Sequence, residues 1–356
     1  MAGRIYSQLA ARVGVRSVSL FRSRNHEAHG CGGIGAPSAR EFLSPSSSVV
    51  ARCLVYVYGS DGQKIMNSNS GTQVREVSVA HSPDSDDAFM FYGMATNKVR
   101  LPGVKFSHTL CDIETLNRKA LDCYYDITAI SFHAYPYIQD KYALMPSGGS
   151  LGEGYGPMIV SSRLISAEEL PKVKIAVPGT MTTAYLALKL YLPDAMTEVV
   201  PFDQIIPKVI EGKYEAGLII HEGQLTFDRS GLHRIVDMGR WWREKTGMPL
   251  PLGGNAIRRD LGPELINACC RALHDSIRYA LDHRDEALQY AMQFARDLDA
   301  QLADKFVGMY VNERTLDYGK DGRDAIVKLL QMGYQAGIIP HEPDVIFVGD
   351  AALAAS

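Results

Sequence analysis

Glu76-Val77-Ser78-Val79-Ala80, followed at once by Ser82-Pro83-Asp84-Ser85-Asp86-Asp87, decides the plan of this chain. A short run of strand type leads straight into a helix start. Ser82 has the side chain of an N-cap and Pro83 suits the first helical position. Asp84, Asp86 and Asp87 fall in the first turn, where the helix dipole favours carboxylates. Phe89, Phe91, Tyr92 and Met94 follow as packing residues. The same switch then repeats. Residues 104–110 read as a second strand, 113–120 as a second helix, and 126–131 as a third strand ending in the polar cluster Ser131-Phe132-His133. A βαβαβ run implies parallel strands.

Working outward, two segments read as crossings between lobes. One is the strand at 155–162, which follows the glycine-rich stretch 148–154; the other is 250–257. Between them lies a second α/β set, with strands at 174–177, 198–200 and 216–220 and helices at 182–191 and 205–211. Beyond Ile257 the pattern turns helical. Ile266, Cys269, Leu273, Ile277 and Leu281 keep a spacing of three to four, as do Leu288, Ala291 and Ala295. A last helical pattern covers 323–335 and stops before Gly337. The expectation is an α/β protein of two lobes with a ligand cleft between them. Residues 75–156 and 256–350 would form lobe 1, and 157–255 lobe 2.

The 356 residues are 46% hydrophobic with a net charge of −3, enough apolar content for a sizeable core. No basic stripe marks a nucleic-acid surface, and no apolar run approaches the ~20 residues of a membrane span. Six cysteines show no zinc-like spacing and read as free thiols in a reducing, cytoplasmic setting. Residues 1–74 differ in kind. Up to Ser60 there are seven arginines, no lysine or aspartate, and only Glu27 and Glu41 as acids. This composition fits an organelle transit peptide, a disordered leader or a start assigned too far upstream. The disordered leader or misplaced start is the reading favoured here.

Chemistry concentrates at Glu215-Ala216-Gly217-Leu218-Ile219-Ile220-His221-Glu222-Gly223-Gln224, where an apolar strand delivers a histidine and a glutamate into a glycine turn. Histidine accepts a proton near neutral pH without a large shift, so His221 is a candidate base; a structural role at a strand end is the plain alternative. Glu222 either orients His221 or faces solvent. Pro178-Gly179-Thr180-Met181-Thr182-Thr183-Ala184 opens a helix without any acidic residue and suits a carboxylate or phosphate, although Thr180 or Thr182 can equally serve as an ordinary cap. The glycines from 148 to 156 match no nucleotide motif, and the histidines show no paired metal spacing. No cofactor and no metal are therefore expected. Trp241, Trp242, Tyr135 and Tyr137 read either as an aromatic wall or as packing.

Taken together, the motifs from His81 to Phe89, Ser131-Phe132-His133-Ala134-Tyr135-Pro136, Pro178 to Ala184 and His221-Glu222-Gly223-Gln224 stand in an order that resembles the 1,4-dihydroxy-6-naphthoate synthases. That family serves the futalosine route of menaquinone biosynthesis in bacteria. The resemblance spans about residues 75–350. Typical members carry Cys-Pro-Asn-Asp in the first loop, where this chain has Asp84-Ser85-Asp86-Asp87. The resemblance implies a periplasmic-binding-protein-like (type II) fold and a cofactor-free lyase that splits cyclic dehypoxanthine futalosine to 1,4-dihydroxy-6-naphthoate. It also implies His221 as general base, and Thr183 with the Ala184 N–H, beside Thr182, as the carboxylate site. Asn117 and Ser131 would add hydrogen bonds from the first lobe. Rival readings are a solute-binding protein for a small aromatic carboxylate, a chorismate dehydratase of the same pathway, and a pyrimidine synthase of the thiamine type. The last would need pyridoxal phosphate and iron, for which no motif speaks.

Overall fold

The computed structural model describes residues 54–55, 74–166, 168–295 and 298–350. The leader reading for 1–74 thus falls outside the described residues, apart from Leu54–Val55 and Val74. In chain order the first strands are β1 (Leu54–Val55), β2 (Arg75–His81), β3 (Val104–Leu110), β4 (Ile127–Ser131), β5 (Tyr142–Leu144) and β6 (Ser150–Gly152). They are followed by β7 (Met158–Ser161), β8 (Lys174–Val177), β9 (Met196–Val199), β10 (Ala216–Ile219), β11 (His233–Asp237) and β12 (Leu250–Arg258). One sheet has the order β1-β3-β2-β4-β12-β5, with β6 also paired to β12; the other has the order β11-β7-β10-β8-β9.

The parallel pairing expected from the βαβαβ run is present. β2 lies parallel to β3 from Arg75↔Val104 to His81↔Leu110, and parallel to β4 at Val79↔Ile127. Val77, Val79 and Ala80 are fully enclosed because helices cover both faces of such a sheet. The second sheet repeats the arrangement, with β8 parallel to both β9 and β10. β12 runs antiparallel against β4 and β5, so the first sheet regains the chain at Leu250.

The helices are α1 (Ser85–Met90), α2 (Tyr92–Ala95), α3 (Ile113–Leu121), α4 (Thr183–Tyr191), α5 (Ile205–Ile210) and α6 (Met238–Thr246). After β12 come α7 (Pro263–Asp282), α8 (Arg284–Ala291), α9 (Ala300–Tyr310), α10 (Glu313–Leu316) and α11 (Gly319–Gln335). On α7 the stripe Ile266, Cys269, Leu273, Ile277 is buried against Phe89, Met90 and Phe91, as its spacing requires. Asp112, Thr182, Asp237 and Asp299 cap α3, α4, α6 and α9 by accepting backbone N–H bonds.

Three expectations change. α1 begins at Ser85, with Asp84 and not Ser82 in the cap position. The carboxylates have taken over Ser82, whose N–H donates to Asp87 Oδ2 at 2.7 Å and whose hydroxyl donates to Asp84 Oδ2 at 3.1 Å. Strands β5 and β6 have three residues each, too short to show a period, and β11, α6 and α9 also went unread. Finally, Cys123, Cys269 and Cys270 are free, but Cys111 is disulfide-bonded, so the free-thiol reading fails there. Sequence spacing carries no information about such a pairing.

Behind the β2–α1 loop, His81 stacks on Phe91 with ring centroids 4.4 Å apart, and His108 Nδ1 lies 3.4 Å from His81 Nε2. Burial, reinforced by His108, holds the His81 pKa down at about 3; burial alone brings His108 to about 4. A histidine depressed in the folded state contributes stability that is complete above the unfolded pKa of about 6.5 and is lost as pH falls toward the folded value. Between pH 6.5 and 5 the His81 contribution therefore falls by about 2 kcal/mol. Urea denaturation of His81→Gln beside the parent should show the parent's advantage shrinking by that amount over this interval. A difference independent of pH would refute the assignment.

Candidate active site

Strand ends build the site. β2 ends one residue before Ser82, β4 ends at Ser131, and β10 ends one residue before Ile220. β8 ends at Val177 and feeds the loop that starts α4. All four deliver their following residues to the carboxyl edge, where open α/β sheets place ligands. There Ser82, Ser131, Thr182, Thr183, Ala184, Ile220 and Leu252 line a cavity of about 130 Å³.

Hydrogen bonds draw the lobes together around it. Asn117, wholly buried on α3, donates to Ser131 Oγ at 3.0 Å and across the cleft to Met181 O at 3.3 Å, and accepts from Ser131 N–H at 2.8 Å. The Met181 N–H donates to Glu114 at 3.0 Å. Ser85 Oγ donates to Glu222 Oε1 at 3.2 Å, and the Tyr310 hydroxyl donates to Gln224 Oε1 at 2.9 Å. Glu222 is 1% exposed, so it does not face solvent. Its Oε2 stands 3.9 Å from His221 Nδ1, beyond hydrogen-bond reach.

At the start of α4 the hydroxyls are already engaged. Thr182 Oγ1 donates to Gly179 O and accepts from the Tyr185 N–H, while Thr183 Oγ1 donates to Leu252 O at 2.6 Å and accepts from the His133 N–H at 3.2 Å. What remains for an anion is backbone: the N–H groups of Thr183 and Ala184 stand in the first helical turn, where no intrahelical acceptor exists. Gly179 is required here, since a Cβ would lie 2.2 Å from Glu114 Oε2 and 2.5 Å from its Cγ.

His221 sits beside the cavity, not in its wall. Nδ1 accepts the Gly223 N–H at 3.2 Å, which places the proton on Nε2, 3.3 Å from Phe202 O. In this arrangement both ring nitrogens are occupied by the protein.

The acidic part of the lining comes from the first loop, which the resemblance covers but from which no site residue was drawn. It consists of Asp84, Asp86 and Asp87, and Asn255, Phe306 and Tyr310 also line the cavity. Burial, with Asp84 beside it, pushes Asp87 up to about 6 despite its bond from Ser82 N–H. Asp86 is raised well above the usual carboxylate range, first by burial and then by Asp87, Asp84 and Glu222. Among the described residues no three His, Cys, Asp or Glu side chains are arranged to hold a metal ion. Asn255 follows the Gly253-Gly254 pair on β12, a pair that marks close backbone approach and was the one available signal. The aromatics singled out earlier are packing: Trp242 is buried with Nε1 donating to Pro249 O, and the Tyr135 hydroxyl donates to Ile346 O.

Comparison with known proteins places this geometry. A family model described as menaquinone biosynthesis matches residues 77–335. A protein of Thermus thermophilus named 1,4-dihydroxy-6-naphtoate synthase is 42% identical over 267 residues, which is 75% of this chain and 97% of that protein. A Streptomyces coelicolor protein of the same name is 37% identical over 269 residues, covering 74% of this chain and 94% of that protein. A crystal structure from Archaeoglobus fulgidus is 46% identical, with a TM-score of 0.72, over 74% of this chain and 98% of its own. A Candida albicans protein described as having the generic periplasmic binding protein fold aligns at a TM-score of 0.59 and 17% identity, covering 76% of this chain and 92% of its own. The expected fold class is therefore correct, and among the described residues no helix is long and apolar enough to cross a membrane. With the match extending from β2 into α11 and the relatives covered almost end to end, this chain belongs to the menaquinone biosynthesis family.

Proposed function

We propose that this chain is a 1,4-dihydroxy-6-naphthoate synthase, a carbon–carbon lyase acting on cyclic dehypoxanthine futalosine, with His221 as general base. One observation carries the reading: Ser131, Thr182, Thr183 and Ala184 line a single cavity, with His221 following its wall residue Ile220 and Asn117 holding Ser131. The substrate carboxylate would rest on the N–H groups of Thr183 and Ala184. His221 would take a hydroxyl proton; the carbon–carbon bond then breaks as the carbonyl forms, and its electron pair passes into the ring that becomes aromatic. Aromatisation supplies driving force, so orientation, a base and exclusion of water suffice from the protein. No cofactor enters this scheme, and a cytoplasmic location belongs to the same reading.

Two movements are implied. The cavity of about 130 Å³ is small beside ordinary ligand sites of roughly 300–1,000 Å³, so the lobes must part to admit substrate. The Nδ1 lone pair becomes available once the His221 ring leaves the Gly223 N–H, whereas leaving Phe202 O releases the protonated Nε2 and serves a base only if the proton moves to Nδ1. Both contacts are long, at 3.3 and 3.2 Å, and are readily released.

The test is incubation of the protein with cyclic dehypoxanthine futalosine, without added metal or cofactor, while dihydroxynaphthoate is followed by absorbance. Product formation is expected. A folded protein that binds the naphthoate tightly yet makes none would instead support the solute-binding alternative.

A further inference from the structure

β12 brings to the cavity an amide whose bonding capacity is used on one side only. Of the residues this strand adds to the lining, Leu252, Gly253, Gly254 and Asn255, only Asn255 has a polar side chain. It is 1% exposed. Its Nδ2 donates to Gly148 O at 3.0 Å and to Met90 Sδ at 3.5 Å. A carbonyl oxygen only accepts, so the contact with Gly148 O fixes which end of the amide is nitrogen. Both N–H bonds of the amide are thus engaged. Gly148 is what allows the approach: its φ is +87°, and a Cβ there would lie 2.4 Å from Asn255 Nδ2.

Asn255 Oδ1 has no hydrogen-bond partner among the described residues. An enclosed acceptor gives up its bonds to water, and a donor that enters the site restores them. The strand also sets where such a donor must lie. Leu252 O, three residues earlier, accepts the Thr183 hydroxyl at 2.6 Å and so adjoins the start of α4. Three strand residues span about 10 Å. A ligand anchored by its carboxylate on the Thr183 and Ala184 N–H groups would therefore present its far end to Asn255. A flat two-ring acid with a hydrogen bond at each end suits that span.

We propose, resting on the synthase reading, that Asn255 is a substrate-binding residue whose Oδ1 accepts a hydrogen bond from a hydroxyl remote from the ligand carboxylate. With its N–H bonds held by Gly148 and Met90, the amide does not turn to offer a donor instead. The position therefore selects a hydroxyl and disfavours groups that only accept, such as ethers and carbonyls. A site built to bond a hydroxyl discriminates against the analogue without it, because its own buried acceptor is then left unpaired.

The test compares two probes, 1,4-dihydroxy-6-naphthoate and the same naphthoate without its hydroxyls, titrated calorimetrically into the intact protein. The parent should bind the dihydroxy compound about 30-fold more tightly. In Asn255→Ala and Asn255→Leu that ratio should fall to about threefold or less, whereas a general loosening would weaken both ligands and preserve it. Equal binding by the parent, the result if a water held Oδ1, overturns the proposal, and so does a folded variant that keeps the parent's ratio. A second readout needs no variant. The Asn255 side-chain carbonyl-carbon resonance of the parent should move when the dihydroxy compound binds and hold its place with the other; equal shifts overturn the assignment. A parent that forms product yet binds both probes equally keeps the synthase reading and loses this one. A parent that forms no product but shows the Asn255-dependent ratio does the reverse, and one that binds neither probe overturns both.

Discussion

His221→Ala should lower kcat by about a thousandfold, in the middle of the range for loss of a general base, while leaving the fold and product binding in place. The His221 side chain is 12% exposed, packs edge-on against the Phe202 ring with centroids 5.1 Å apart, and makes two long hydrogen bonds among the described residues, with Phe202 O and Gly223 N–H. Truncation removes the contact with the Phe202 ring along with these bonds, and unfolding in urea should shift by about 1–2 kcal/mol. Product affinity should hold because the proposed carboxylate contacts come from the start of α4, on a different segment. Single-turnover kinetics with tight-binding controls would separate the two effects. A variant within tenfold of the parent's kcat would remove His221 from the role of base.

Asn117→Ala should be the most destabilising single change at the site, at about 3 kcal/mol. The side chain is completely enclosed and makes three hydrogen bonds, two with Ser131 and one with Met181 O on the other lobe. Alanine leaves the Ser131 N–H and Met181 O without that partner in a buried setting. This orphaning, more than the lost bonds themselves, supplies the magnitude. Because Ser131 lines the cavity, KM should rise as well. A loss in urea denaturation below about 1 kcal/mol would mean that water or a relaxed backbone replaces the amide.

These expectations depend on different amounts of information. The parallel core of β2, β3 and β4 was legible because strand-type runs alternate with helix starts. The limits of β3 and β8 agree with those read from residues alone, since turn residues bound them on both sides. The buried stripe of α7 was legible for the same reason: its period of three to four admits one inward face. The start of α1 was misread because an N-cap preference is local, whereas Asp84 and Asp87 compete for the donors of Ser82 across the loop. β5 and β6 escaped notice because three residues hold no period, and their pairing with β12 depends on residues about a hundred positions away.

The sequence by itself determined which chemical groups are present and which local elements carry them. It placed a histidine past one strand, an acid-free helix start past another, a serine at the end of a third, and the order of motifs that resembles the family. Only the tertiary structure decided what those groups do to one another. It buried Glu222 against Ser85, engaged the Thr182 and Thr183 hydroxyls so that backbone N–H groups are left for an anion, and occupied both nitrogens of His221. It also joined Asp86 and Asn255, 169 positions apart, in one cavity wall. The physical reason is that helix and strand preferences act over a few residues, whereas charge state and hydrogen-bond satisfaction depend on every group that folding brings within a few ångströms.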